Sequence, residues 1–347
     1  MIKKSILELA WDVLEDVYRA DPAASYSILA AFFREGPSII PHLNDKKNTA
    51  ALKRGSLVDT LLTDYKEFDN KFIISDITKP PETISQIVET LWNASDKVSN
   101  NLDKISDDTI LTCANNYNLY PGYKETTRVT KVRDLGSEYF SLLALAEDKT
   151  IMSQFEYSQA IACVDTLKTH AYTREYFFDD PFNEEVESYY QLKFKINNND
   201  IAFRIMLDRL IVDHKNKTIQ PIDLKTTGKE EEKFDKSYID WSYWIQSNAY
   251  SQVLQEIILQ DEYFKDFTIL PFKFIVINKD SLSPIVWTDY TNLLSADRID
   301  QYGNVYPYWK TLYHKFIWHV EHQEYHYSYD TCKCGGNREL NSLKIMK

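Results

Sequence analysis

Three side chains between Ile201 and Thr227 are of the types that hold a hard cation or steer a water: Asp208, Asp223 and Lys225. Asp208 lies between Leu207 and Leu210, and Asp223 is followed by Leu224 and then Lys225. The runs Ile201 to Asp213 and Lys217 to Thr227 are β-like, and the polar His-Lys-Asn-Lys stretch between them predicts a hairpin turn. Pairing the runs brings Asp208 near Asp223. Alternate side chains of a strand share a face, so Asp223 and Lys225 point one way while Ile222 and Leu224 point into the core. Two carboxylates and an ammonium in one small space are costly unless something uses them. A divalent cation between the carboxylates removes the repulsion, and the lysine then acts on a water at that cation. The triplets Asp45-Lys46-Lys47 and Asp213-His214-Lys215 have the same form but polar surroundings, and read as solvated loops.

The next element must position this group. From about Tyr238 to Gln260 the pattern is helical, with Tyr243, Gln246, Tyr250, Val253, Leu254 and Ile257 on one stripe. Gln246 and Tyr250 are four apart and sit one above the other. A glutamine on the apolar side of a helix aims its amide at the sheet, near the carboxylates.

An acid on one strand, Asp-x-Lys on the next and Gln-x-x-x-Tyr on the following helix together resemble the PD-(D/E)XK nuclease superfamily. The similarity is to the RecB-type branch, with lambda exonuclease and the exodeoxyribonuclease VIII group as relatives. It covers roughly residues 23 to 75 and 150 to 325. The resemblance implies an α/β fold, a mixed central β-sheet flanked by helices (a restriction-endonuclease-like core), with an N-terminal helical portion. It carries magnesium binding to Asp208 and Asp223, and positioning or activation of the attacking water to Lys225. Gln246 and Tyr250 help place the active site and the nucleic acid, and Leu224 joins the metal set.

The same resemblance implies a further acid on the preceding strand, Glu184 to Ile196. Gln191 stands at the best-aligned place, with Glu187 two alternations upstream on the same face if the strand is regular. A glutamine can coordinate through its oxygen but contributes no charge. His170, near the end of a predicted helix from Glu156 to Phe178, stands where resembling nucleases often place a histidine, and completes the candidate metal set. Asp59 follows Gly55 by four residues, where the resembling phage proteins typically carry a histidine.

The activity implied is metal-dependent hydrolysis of phosphodiester bonds in linear DNA, with magnesium or manganese, in phage-type recombination or replication. DNA, a single-strand annealing recombination protein and further copies of the chain are the implied partners. Two alternatives stay open: a catalytically silent relative acting as a DNA-binding or assembly subunit, and an endonuclease of the same superfamily.

The whole chain bounds these readings. Its 347 residues can bury a sizeable core, and 40 basic against 52 acidic residues give a net charge of −12. That excludes a surface coated in basic patches, though a nuclease needs basic groups only along one groove. No run is apolar enough to span a membrane, and Glu8, Asp12 and Glu15 interrupt any signal-peptide core, so a cytoplasmic protein is expected (host cytoplasm if phage-encoded). Cys113, Cys163, Cys332 and Cys334 read as free thiols.

The predicted organisation is a mostly helical portion over 1–150, a nuclease core over 151–330 and a tail over 331–347. An amphipathic stripe from Ile6 to Val17, helices over Thr83 to Val98 and Ser137 to Ala146, and a helical region from Leu293 to about Glu324 are expected. Pro271 to Asn278 reads as a buried strand, and Ser283 begins another. His319, His322 and His326 have helical spacing suited to zinc, but no fourth ligand is evident and the interleaved aromatic residues argue for packing. Cys332-x-Cys334 with the following glycines reads as a turn rather than part of an iron–sulfur site.

Overall fold

A computed structural model describes residues 3–43, 49–95, 97, 101–180, 182–198 and 200–337. The chain forms two compact units, one from Ala50–Val164 and one combining Met1–Thr49 with Asp165–Lys347. The first 49 residues therefore share a unit with the sheet, whereas the sequence reading groups them with the helices up to 150.

In the Ala50–Val164 unit, helices Glu82–Ala94, Asp107–Asn116 and Glu125–Ala146 pack around Ile84, Val88, Leu91, Ile110, Val132 and Phe140. The last helix begins twelve residues earlier than expected, at Glu125. It reaches the first through Gly136, where a Cβ would stand 2.6 Å from a Val88 methyl; only a residue without a side chain permits that approach. Strands β1 (Phe72–Ile74) and β2 (Thr150–Met152) pair in parallel beside them. Asp59 is half-buried on the helix Ala50–Thr63 of this unit.

The other unit is a mixed α/β structure built on one sheet. Its strands are β3 (Val186–Asn197), β4 (Ala202–Asp213), β5 (Thr218–Thr227), β6 (Thr268–Ile269), β7 (Phe272–Asn278) and β8 (Pro284–Asp289). The order is β3-β4-β5-β7-β8, with β6 also beside β5. β5 runs parallel to β6 and β7, and the other neighbours are antiparallel, so the sheet is mixed. Pro221 in β5 and Pro271 after β6 interrupt the ladder of β5 where its partner changes from β6 to β7, and the buried Gln220 amide donates to both their carbonyls, replacing lost backbone bonds.

The helix Tyr243–Leu259 covers one face, burying Ile245, Ala249, Val253 and Leu254 against Leu210, Val212, Phe272 and Phe274. The expected single helix from Tyr238 to Gln260 is instead two, Phe234–Asp240 and Tyr243–Leu259. The break has an identifiable cause. The Trp241 carbonyl accepts hydrogen bonds from Tyr26 Oη (2.8 Å) and Arg34 Nη1 (2.9 Å), so Ile245 N donates to Ser242 O instead. Ser242, fully buried, takes a left-handed conformation at φ 61°.

Other expectations also shift. The Ile6–Val17 stripe is a 3₁₀ turn (Ile6–Leu9), an extended stretch and a helix (Glu15–Ala20), because Trp11 N pairs with Lys193 O on the edge of β3. The Glu156–Phe178 helix ends at Thr169, and a short turn of helix, Arg174–Phe177, follows. Leu293 to Glu324 contains a two-stranded pair (Arg298–Ile299 with Val305–Tyr306) before the helix Trp309–His322. Cys332 lies in a short helix, Tyr329–Lys333, and Cys334 with Gly335 and Gly336 forms the expected turn after it. Among the described residues, no helix is long and apolar enough to cross a membrane.

Candidate active site

The β4–β5 hairpin forms as its turn chemistry predicts. Its last paired rung is Arg209 with Ile222, and one residue further the same register sets Asp208 opposite Asp223. Gln191 stands opposite Asp208 on the other side, between the rungs Tyr190–Arg209 and Leu192–Leu207. Asp223 in turn pairs with Phe274, and Phe274 with Trp287. One row across the sheet thus reads Gln191, Asp208, Asp223, Phe274, Trp287.

At this row the β3–β4 ribbon changes face. Phe203, Ile205 and Leu207 are buried at odd positions of β4, but Leu210 and Val212 at even ones. Gln191 carries the distortion, with a left-handed φ of 49° that non-glycine residues rarely adopt. Beyond the bend the ribbon leaves β5 and is clamped by the N-terminal segment: Ala24 bridges Phe203, and Lys195 Nζ lies 2.6 Å from Asp21. With β4 turned away, Leu224 N finds no strand partner there and donates to Asp208 Oδ2 at 2.8 Å. The candidate site therefore sits where a ladder opens.

Asp223 is only 3% exposed and accepts a hydrogen bond from Gln246 Nε2 through Oδ1. Its Oδ2 lies 2.6 Å from Lys225 Nζ, a charge contact whose angles do not make a hydrogen bond, so that oxygen accepts none. Gln246 Oε1, also buried, accepts no hydrogen bond among the described residues. Unpaired buried polar atoms are rare in folded proteins and call for a ligand, a water or an ion. The alternation expected in β5 holds for Ile222, but Leu224 is only half-buried and Asp223 is the deeply buried residue. The reason is the helix Tyr243–Leu259, which lies over the face carrying Asp223.

Lys225 remains 21% exposed at its side chain, and its ammonium lies 4.5 Å from the centre of the Tyr243 ring. Burial works against its charge, but Asp223 above all, then Tyr243, Tyr26 and Asp208, outweigh that and hold it above the ordinary lysine value. Tyr250 is buried, which pushes its phenol well above the usual range, and the charges of Asp223 and Asp208 push the same way. It stays a neutral hydroxyl.

Sequence reasoning missed Tyr26 and Arg34. They stand eight apart on the helix Tyr26–Glu35 and fix the start of the helix that carries Gln246. It also gave Tyr243 no role, although its place three before Gln246 put it on the same stripe, one turn earlier.

Glu187 and His170 are not brought to the pair. Glu187 is tied into a separate cluster with Ser5, Tyr189 and His214. His170 makes local contacts, accepting from Tyr172 N at 3.2 Å and packing edge-on against the Tyr172 ring. His319 Nδ1 donates to Glu324 O and His322 Nδ1 to Trp318 O, and His322 stacks on Trp318, so both are used in packing rather than gathered for zinc. Among the described residues no group of three or more His, Cys, Asp or Glu is placed to hold a metal.

What remains near the row is a set of oxygen donors: two carboxylates, the Gln191 amide and the Leu224 carbonyl. Such hard donors suit magnesium or manganese, ions that bind through one or two carboxylates and keep several waters. Asp223 Oδ2, which accepts no hydrogen bond and meets only a charge contact from Lys225 among the described residues, is compatible with that.

No protein-family model matches this chain, and no curated protein sequence matches it. Among solved structures it is similar to a crystal structure of a "putative exonuclease" from Eubacterium rectale. The identity is 11%, the TM-score 0.41, and the match covers 94% of this chain and 89% of that one.

Proposed function

We propose that the chain is a metal-dependent DNA nuclease of the PD-(D/E)XK type, acting on linear DNA. The observation that carries this reading is the Asp208–Asp223–Lys225 group, set side by side at an opening in the sheet with Gln246 against Asp223. Asp208, Asp223 and the Leu224 carbonyl would hold magnesium or manganese, with Gln191 beside them. The ion, when bound, supplies Lewis acidity to a scissile phosphate. Lys225 contributes a fixed ammonium that donates to the attacking water or to a phosphate oxygen and stabilises negative charge as it develops. The Tyr243 ring, 4.5 Å away, holds that ammonium. Gln246 fixes the orientation of the Asp223 carboxylate, and Tyr250 keeps a neutral hydroxyl on the same helix face. DNA is the substrate under this reading; a single-strand annealing protein and self-assembly are its natural partners.

A second reading is favoured by a specific observation. Gln191 stands where a third acid is expected, and the nearest candidate, Glu187, is engaged elsewhere. A site with two acids fits a DNA-binding or assembly subunit that keeps the fold without the chemistry.

The test is cleavage of end-labelled linear duplex with magnesium or manganese, beside circular and single-stranded DNA, with Lys225→Ala as control. Linear duplex should be degraded from its ends, and the variant should be inactive. Cutting of the circle would move the assignment to an endonuclease. No cleavage with either metal would leave the silent-subunit reading.

A further inference from the structure

The row that begins at Gln191 and passes through the two carboxylates ends at Phe274 and Trp287. Over that end lies a cavity of about 750 Å³, lined by Phe234, Tyr238, Phe274, Trp287, Asp289 and Arg298 among others. Trp287 is two strands from Asp223, or about 10 Å at ordinary strand spacing. Tyr243 joins the two places, because its ring stacks on Phe234 at 5.6 Å and also meets the Lys225 ammonium at 4.5 Å.

The walls are fixed. Tyr238 Oη donates to Asp289 Oδ2 at 2.6 Å, and Asp289 also accepts from Ser247 and from Thr291 N and Oγ1. That carboxylate is saturated and presents nothing to a ligand. Arg298 donates to Tyr238 Oη (3.2 Å) and to Thr291 O (3.4 Å), lies 3.8 Å from Asp289 Oδ2, and stays 19% exposed, so its five-donor fork reaches the cavity surface. The charged lining is Asp235, Asp240 and Asp289 against Lys236 and Arg298, with no excess of positive charge. A phosphate is not what such a cavity recognises. A planar, neutral ring with hydrogen-bond acceptors on its edge is.

We propose that this cavity receives one unstacked nucleobase of a DNA strand whose phosphate lies at the Asp208–Asp223 pair, with the base against Trp287 and Tyr238 and its edge toward Arg298. This rests on the nuclease reading above. Aromatic faces accept any base, so the cavity sets the position of the strand rather than its sequence.

The test measures binding, in EDTA, of fluorescein-labelled single-stranded deoxyoligonucleotides, each abasic at one different position, by anisotropy. One abasic position near the end should weaken binding about tenfold relative to the others, the scale of losing one base–aromatic stack. Trp287→Ala should erase that positional difference. Tyr290→Ala, at a rim residue 80% exposed and so harmless to folding, should reduce it. A difference that is absent, or unchanged in both variants, overturns the cavity assignment while cleavage by the unaltered protein leaves the nuclease reading intact. Binding of no oligonucleotide, together with no cleavage, overturns both.

Discussion

The β3–β4 ribbon carries two acid clusters, and they are built on opposite principles. At one end Glu187 has every oxygen engaged: Oε2 accepts from Ser5 Oγ and Tyr189 Oη, both at 2.6 Å, and Oε1 meets His214 Nε2. His214 Nδ1 is engaged in turn, with Tyr263 Oη at 3.0 Å. Four residues along the strand, at Gln191, the ribbon bends, and there Asp223 Oδ2 and Gln246 Oε1 are buried without hydrogen bonds. A saturated cluster stabilises the fold, because each donor offsets the cost of burying the carboxylate. One without hydrogen bonds spends stability, offset at Asp223 only by the charge of Lys225 2.6 Å away. Degree of satisfaction, rather than residue type, separates the two.

The largest effect that would sharpen this contrast is Asp208→Asn, which should lower the cleavage rate at least about 100-fold, the usual scale for removing one charge-stabilising group. Its melting temperature should stay within a few degrees of the parent, as read by calorimetry. A large loss of stability with activity intact would break the contrast outright.

Glu187→Ala should do the reverse: about 2–3 kcal/mol of stability lost in urea titrations, the cost of orphaning several buried donors, with the cleavage rate retained. The same cluster has an acid signature. Burial raises the Glu187 carboxyl, but Ser5, Tyr189 and His214 outweigh it and hold it below its ordinary 4.5. A depressed carboxyl gives stability that is complete above the ordinary value and is lost as pH falls through the folded one. The unaltered protein should therefore lose stability more steeply below pH 4.5 than Glu187→Gln does. Parallel acid limbs would show that the cluster contributes no such linkage.

The smallest effect concerns the bend. Gln191→Gly should stabilise the chain by about 0.5–1 kcal/mol by relieving the left-handed strain. Its apparent magnesium affinity, followed by titration calorimetry, should not rise. Destabilisation would mean that Gln191 makes contacts worth more than its backbone costs.

Much of the site was legible because it is local in sequence. The polar turn from His214 to Lys217 closes the hairpin as its composition predicts, and the register that follows sets Asp208 beside Asp223. Gln246 falls on the covered face because the helical stripe is regular from Tyr243 onward. What failed to show was set by partners far away in the chain. Strict alternation linked Glu187 to Gln191, but the bend at Gln191 has no glycine to announce it. The break at Ser242 leaves no local trace, because Tyr26 and Arg34 impose it. The N-terminal stripe is helical by period, yet Trp11 gains more from the edge of β3 than from a continued helix.

The grip of Arg34 on the Trp241 carbonyl also sets a schedule. Its two ends are 207 residues apart. At ordinary synthesis rates the earlier helix leaves the ribosome about 10–40 seconds before the carbonyl it must hold. Until then the helix bearing Gln246 has no defined start. The unit is thus a late-closing one in the order of its own manufacture: the clasp that aims Gln246 closes only once its second half, 207 residues after the first, has been made.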